Sequence, residues 1–371
     1  MNQLVSLLDI ALPILLFSGV VILGNSVLNA NGRAVLTATS QLVVPVAAIL
    51  SLLLFGNAYG VKAVMYGMVI GQLLNLLIVQ YYLGHSDISL LPKLNLSNHS
   101  ELTLLVIQYL PLVVSAFFVA SVAPVATLLA LSLPEGSVSA LNLGSKVVLF
   151  ITGLVGTAIS TVMLPYFSAL VEKKHLVSAR RELSFFVLLS TFVSIPICLG
   201  LFNWSETIVR LLFEDGTFNG DNTKLVARVM QYAVIQIPFF VCNALLLKFA
   251  MATKHVFAIC IVSLIGLLAN VGVSVLLIKH MGVAGIALGG SVSVIFSTVL
   301  LALVLVRYWQ ISKFDALVMF LNWLLFITLL LCLHFENAPG IYIAMFAYTI
   351  LLASYFSSLK FNQTQGSRFL S

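Results

Sequence analysis

Gly60-Val-Lys-Ala-Val-Met-Tyr-Gly67 returns further along the chain as Gly282-Val-Ala-Gly-Ile-Ala-Leu-Gly289. The first Gly, the Val and the last Gly stand at the same offsets, and the copies lie 222 residues apart. Upstream, Asn25 precedes Arg33 as Asn243 precedes Lys254, each pair spanning the end of an apolar run. Six apolar runs separate the two copies. An even number of crossings returns a chain to its starting orientation. The pattern therefore predicts a parallel internal repeat about an axis along the membrane normal.

Composition agrees with a membrane setting. Of 371 residues, 61% are hydrophobic and 8% are charged. A soluble domain carries about 25% charged residues. Thirty charged side chains cannot coat a water-facing surface of this size, which excludes a soluble enzyme, a nucleic-acid binder and a disordered chain. The net charge of +6 reads as Lys and Arg collected on the cytoplasmic side rather than as a nucleic-acid footprint. Cys198, Cys242, Cys260 and Cys332 each stand alone in apolar sequence, with no CxxC or Cys/His spacing. They read as small buried hydrophobes, so neither metal nor cofactor is expected. Residues 1–8 hold no Lys or Arg, so the first apolar run is expected to be a permanent span.

A bilayer crossing needs about 20 apolar residues. Stretches free of Asp, Glu, Lys and Arg fall at 10–32, 34–61, 63–86, 102–134, 147–171, 183–205, 229–247, 256–278, 281–306, 316–335 and 337–359. The fold class is thus an all-α polytopic membrane protein of eleven helices. The fourth helix is long and holds Pro111 and Pro124, which predicts a kink. The fifth starts near Ser137 and takes Lys146 inside it. Connections after odd-numbered helices, with the tail, hold twelve cations, and those after even-numbered helices hold five. The positive-inside rule then puts the C-terminus in the cytoplasm and the N-terminus outside. Helices 7–9 repeat helices 1–3, so helices 4–6 lack counterparts before helix 1. The expected organisation is a two-lobed exporter with an incomplete N-terminal lobe. Residues 1–100 form a three-helix remnant, 101–310 a six-helix C-terminal lobe, and 311–371 two extra helices and a cytoplasmic tail.

Residues 205–214 carry helical apolar spacing, with Ser205 placed as N-cap; they read as a short interfacial helix. The following Asp215-Gly216-Thr-Phe-Asn-Gly220 is turn-forming.

Four stretches resemble one family. They are Leu28-Asn-Ala-Asn-Gly-Arg33; Leu133-Pro-Glu-Gly-Ser-Val-Ser-Ala-Leu-Asn142 with Gly153-Leu-Val-Gly-Thr-Ala158 and Leu164-Pro165; Leu212-Phe-Glu-Asp-Gly-Thr-Phe218 with Asp221; and Gly282-Val-Ala-Gly-Ile-Ala-Leu288. In order and spacing they resemble the MviN/MurJ lipid II flippases of the multidrug/oligosaccharidyl-lipid/polysaccharide exporter superfamily, over about residues 5–310. That family has fourteen helices, and the resemblance starts this chain at the fourth. The family's arginines in its first two helices then have no place to map. Its eighth-helix Arg aligns with Lys146, and its acidic residue three positions on becomes Leu149. Its Arg, aromatic, Asp, Thr, Pro pattern after the tenth helix is reduced to Lys248, Phe249 and Lys254.

The resemblance implies a flippase moving a polyprenyl-diphosphate-linked saccharide, lipid II first, across a bacterial cytoplasmic membrane by alternating access. An exopolysaccharide or O-antigen repeat unit is the alternative cargo. A membrane-embedded glycosyltransferase or ligase and an inactive truncated homologue are the alternative roles. Against the enzyme, no large polar loop is present, and His85, Asp87 and His99 form the only polar cluster that a membrane enzyme could use. Gly144-Ser-Lys146 lacks the upstream Gly and the following Ser or Thr of a phosphate loop.

Substrate-binding candidates are Lys146, Arg33, Lys248 and Lys254. Lys146, nine residues into its helix, costs about 2.5–3.5 kcal/mol to insert, so it either faces a wet cavity or snorkels. Lys248, Lys254 and Arg33 sit at helix ends, where they are either phosphate attractors or topology anchors. Asp9 is the candidate ion-coupling carboxylate, or a plain interfacial residue. Phe320, Trp323, Phe326, Phe346 and Tyr348 in the last two helices form either a groove that takes a prenyl tail or plain lipid-facing surface. The expected partners are the lipid-linked saccharide and membrane lipids, with the protein a monomer and without nucleic acid.

Overall fold

The computed structural model describes residues 2–30, 33–84, 99–173, 175–214 and 220–306, together with Trp323 and Phe326. Every regular element among the described residues is a helix. In order these are α1 (Asn2–Ala30), α2 (Ala34–Gln41), α3 (Val43–Tyr59), α4 (Val61–Gly84), α5 (His99–Ala130), α6 (Ser137–Glu172), α7 (Leu176–Asn203), α8 (Ser205–Phe213), α9 (Gly220–Val234), α10 (Gln236–Ala252), α11 (Val256–Met281) and α12 (Val283–Val306). Among the described residues nine spans are long and apolar enough to cross a membrane. They coincide with the first nine of the eleven expected stretches. The tenth and eleventh, the turn at 215–219 and the cluster of His85 and Asp87 lie outside the described residues. The chain divides into two compact units, Met1–Asn98 and His99–Ser371.

Two spans are broken, and proline explains both. α2 gives way to α3 at Leu42, three residues before Pro45, and α9 gives way to α10 at Ile235, three residues before Pro238. Proline has no N–H for the carbonyl four residues back, and its ring crowds that carbonyl. At Pro238 the freed acceptor is the Val234 carbonyl. The Cys198 thiol of α7 takes it over at 3.3 Å. The two neighbouring carbonyls are also held by side chains. The Ser291 hydroxyl donates to Tyr232 at 2.6 Å, and the Gln236 amide donates to Ala233 at 2.9 Å. Freed backbone groups in an apolar setting need such replacements.

Each unit turns twice on the same backbone pattern. Gly60 (φ 53, ψ −131) and Gly282 (φ 57, ψ −133) occupy a region that side chains do not tolerate. Their N–H groups reach the carbonyls of Gly56 and Ile278 at 2.8 and 3.0 Å. Arg33 (φ −93, ψ 43) and His255 (φ −83, ψ 45) precede α2 and α11. Their N–H groups reach back to Leu28 and Ala250 at 3.0 and 2.8 Å. Both pairs are 222 residues apart, the offset of the two glycine motifs.

In the larger unit, α6 and the α9–α10 pair run side by side in the same direction. Gly144 lets Val229 and the Val226 carbonyl approach to within 2.7–2.9 Å of where a Cβ would stand. Further along, Gly156 faces the Phe240 ring, and Phe167 meets Phe249 edge-on at 5.4 Å.

Two expectations are corrected. Ser205 is the first residue of α8 rather than its cap. Trp204 holds the cap position with no side-chain hydrogen bond, while the fully buried Ser205 hydroxyl has no protein partner. The serine therefore turns into the bundle instead of back over the helix end. The second correction concerns the prenyl groove. Phe326 is 1% exposed, and Trp323 stacks on Phe239 at 3.9 Å with planes 16° apart. Both aromatics pack into the core beside the α9–α10 break, where ring stacking and burial outweigh lipid exposure. Phe320, Phe346 and Tyr348 lie outside the described residues.

Candidate functional site

Lys146 lies nine residues past the start of α6, or about 13 Å along its axis. It is exposed and has no ion-pair partner among the described residues. α6 buries Leu141, Gly144, Val148 and Thr152 on one side. Turning by 100° per residue, Lys146 shares the other side with Asn142, Leu149, Gly153 and Thr157, all exposed. A side given to lipid would read as continuous hydrocarbon. This one carries an amide, a cation, a glycine and a hydroxyl. Leu149 and Phe150 are its apolar members, 66% and 68% exposed, and Leu149 stands where the resemblance led to expect a carboxylate. Thr157 satisfies its hydroxyl within the helix, on the Leu154 carbonyl at 2.9 Å, so the threonine itself costs little in an apolar surround.

Lys248 and Lys254 sit at the far end of α10. Lys248 lies inside the helix, one turn before its end, and is half-buried; the charge-free stretch 229–247 stops just before it. Lys254 is exposed, and at φ 61 it is the one non-glycine residue with positive φ among the described residues. It closes α10 in a Schellman turn, with its own N–H on Met251 at 3.0 Å and the next, of His255, on Ala250 at 2.8 Å. Glycine is the usual occupant, because a side chain in left-handed backbone costs on the order of 1–2 kcal/mol. The His255 ring and the Thr253 hydroxyl are paired at 2.9 Å beneath it.

The parallel α6 and α9–α10 contacts set the spacing of these cations. Lys248 adjoins Phe249, which meets Phe167. Lys146 is 21 residues before Phe167 on the same helix. At 1.5 Å per residue, Lys146 and Lys248 stand about 30 Å apart, near opposite ends of one helix pair. Lys248 and Lys254 thus stand six residues apart at the same end of α10, and Lys146 lies away from both.

In the smaller unit, Arg33 is exposed at the N-cap of α2, and Asp9 is exposed at the start of the first span. Among the described residues no group of three or more His, Cys, Asp or Glu side chains gathers to hold a metal ion.

Sequence reading missed several buried polar groups. Both polar atoms of the Asn270 side chain and the Ser274 hydroxyl on α11 are fully buried with no protein partner. They lie against the glycine side of α12, where a Cβ on Gly289 would strike Ser274. The Asn75 carbonyl oxygen in α4 is likewise unpaired. An amide in an apolar run was the available signal. Cys198, read as inert, proves to be a hydrogen-bond donor.

Comparison with known proteins follows the same lines. The family model described as "Lipid II flippase MurJ" matches residues 2–357. A probable lipid II flippase MurJ of Rickettsia prowazekii is 23% identical over 297 residues, covering 78% of this chain and 57% of the relative. Another from Thermotoga maritima is 31% identical over 200 residues, covering 53% and 41%. The chain spans about half the length of the curated relatives it matches. A solved lipid II flippase MurJ in an inward closed conformation superposes with a TM-score of 0.70 at 21% identity, covering 95% of this chain and 74% of the other. A mutant of the Vibrio cholerae MATE transporter VcmN superposes at 0.61 with 19% identity, covering 81% and 69%; at these identities both likenesses speak for the fold. With its apolar spans and bacterial relatives, the protein is a multi-pass protein of the bacterial inner membrane. The chain belongs to the lipid II flippase MurJ family.

Proposed function

We propose that this protein moves a polyprenyl-diphosphate-linked saccharide, lipid II first, from the inner to the outer leaflet by alternating access. The observation that carries this reading is the pair of cation stations about 30 Å apart on one helix pair, with a polar side of α6 running on from Lys146. A diphosphate needs cationic partners where it enters the membrane and where it leaves. The family's printed name supplies the cargo class.

In this reading Lys248 and Lys254 gather the diphosphate at the cytoplasmic face, and Arg33, in the smaller unit, is a separate substrate-binding residue. Lys146 receives it near the outer face. Asp9 serves ion coupling from the outer end of α1. The N-terminus is outside and the C-terminus cytoplasmic, as the twelve-to-five cation distribution supports. Residues 1–100 act as a three-helix half of the N-terminal lobe and 101–310 as the six-helix C-terminal lobe. Residues 311–371 add two helices and a tail. The working form is a monomer that binds no nucleic acid and catalyses no covalent step. The sequence holds no phosphate-loop motif, so the driving force is an ion or substrate gradient or the membrane potential. Each charge crossing 100 mV contributes about 2.3 kcal/mol.

A second cargo, an exopolysaccharide or O-antigen repeat unit, is favoured by Lys146 and Leu149, which stand where the family carries Arg and an acid. Complementation tests both. Rescue of a strain depleted of its lipid II flippase supports the first cargo. Failure there with rescue of a capsule-export mutant supports the second. Failure of both by a stably inserted protein, supplied with any preceding helices its gene encodes, contradicts flipping.

A further inference from the structure

α8 lies between the end of one membrane span, Leu176–Asn203, and the start of the next, Gly220–Ala252. One residue, Trp204, separates it from α7, so the helix lies at the membrane boundary. At 100° per residue α8 and its two flanking residues divide into three sides. Ser205 and Val209 are fully buried and seat the helix on the bundle, chiefly on α9. Glu206, Arg210 and Glu214 form a charged side. Arg210 bridges Glu206 at 3.2 Å and Glu214 at 3.4 Å. The Thr223 hydroxyl of α9 donates to Glu214 at 2.9 Å, which ties this side to the next span. The third side is apolar and bare: Trp204 is 63% exposed, Leu211 85% and Leu212 56%.

We propose that α8 is seated in lipid, with the Trp204, Leu211 and Leu212 side inserted at the acyl-chain boundary of the adjoining leaflet. The occupant of that side is phospholipid for two reasons. The bare side adjoins α7, whose Ile197 and Val193 are exposed about two and three turns before Trp204 on a membrane span. The charged side is turned about 140° away, the separation an interfacial helix needs to meet hydrocarbon and water at once. Arg210 is engaged by two carboxylates, so the contact of α8 itself rests on apolar side chains rather than on a free cation. That the leaflet is the outer one rests on the proposed topology; the lipid seat does not.

Spin labels at Leu211→Cys and Glu206→Cys test the seat. The background replaces Cys260 and Cys332 by Ser, since Cys198 and Cys242 are buried. The full chain is placed in phosphatidylethanolamine/phosphatidylcholine nanodiscs, and collisions with oxygen and with a water-soluble nickel chelate are measured. The expected result is a label at 211 several-fold more accessible to oxygen than to nickel, with the reverse ratio at 206. Nickel access at both positions would put α8 in water and overturn the seat. A label at 211 shielded from both would mean that protein covers this side, which overturns it equally. Since Leu211 is 85% exposed, the label disturbs no packing. Either contrary result leaves the flipping proposal standing, because the nanodisc readout involves no transport.

Discussion

Replacing Lys254 by glycine separates strain from charge. Lys254 sits at φ 61 with both backbone hydrogen bonds of its turn made, so Lys254→Gly keeps the turn and removes the Cβ conflict. Relief is on the order of 1–2 kcal/mol, and the extra freedom of glycine in the unfolded chain takes back about 0.5–1. The net gain is about 0.5–1 kcal/mol, or roughly 1–3 °C for a chain of this size. Lys254→Ala keeps the strain and loses the charge, so it is the proper reference. Melting is followed with a thiol-reactive fluorophore, for which the buried Cys198 and Cys242 become accessible on unfolding. The glycine variant melts above the alanine variant. Substrate affinity falls in both by the same factor, about tenfold for one lost charge-assisted contact of about 1.4 kcal/mol. A glycine variant melting below the alanine variant would refute the strain argument. Unchanged affinity in both would leave Lys254 a topology anchor.

Three further outcomes follow from the packing and the topology. Cys198→Ala strands the Val234 carbonyl that Pro238 frees and costs about 1–3 kcal/mol in the same melting assay, while Cys198→Ser retains a donor and most of the stability. Gly144→Ala drives a methyl against Val229 and the Val226 carbonyl, costing about 1–3 kcal/mol as α6 is forced off α9; an unchanged melt would contradict the observed approach. For topology, a cysteine at Leu176 is shielded from an impermeant thiol reagent in intact cells and one at Asp221 reacts; the reverse pattern would invert the assignment.

Much of the fold was legible because a membrane restricts the menu: a charge-free run of about 20 residues has few other fates. The first nine helices and the turn glycines Gly60 and Gly282 follow from that and from simple spacing. The breaks at Leu42 and Ile235 were written in Pro45 and Pro238. Other features depended on where the chain lands in space. Nothing in Thr253-Lys254-His255 announces left-handed backbone, because the Schellman position is decided by where α10 stops. Cys198 became a donor only because α7 passes the carbonyl freed on a different helix. Trp323 and Phe326 read as a prenyl-tail groove or plain lipid-facing surface until Phe239 proved to be their neighbour. The candidate cations were legible one by one. Their spacing was not, since it follows from α6 and α10 running parallel with Phe167 on Phe249.

Transport across a defined bilayer tests the central claim most directly. Full-length protein is reconstituted into vesicles with a fluorescent polyprenyl-diphosphate saccharide, and a membrane-impermeant quencher reports how fast inner-leaflet lipid reaches the outer leaflet. The account predicts exchange well above protein-free vesicles, slowed tenfold or more by Lys146→Ala and largely kept by Lys146→Arg. Exchange no faster than in protein-free vesicles, or an Ala variant as fast as the parent, would contradict it.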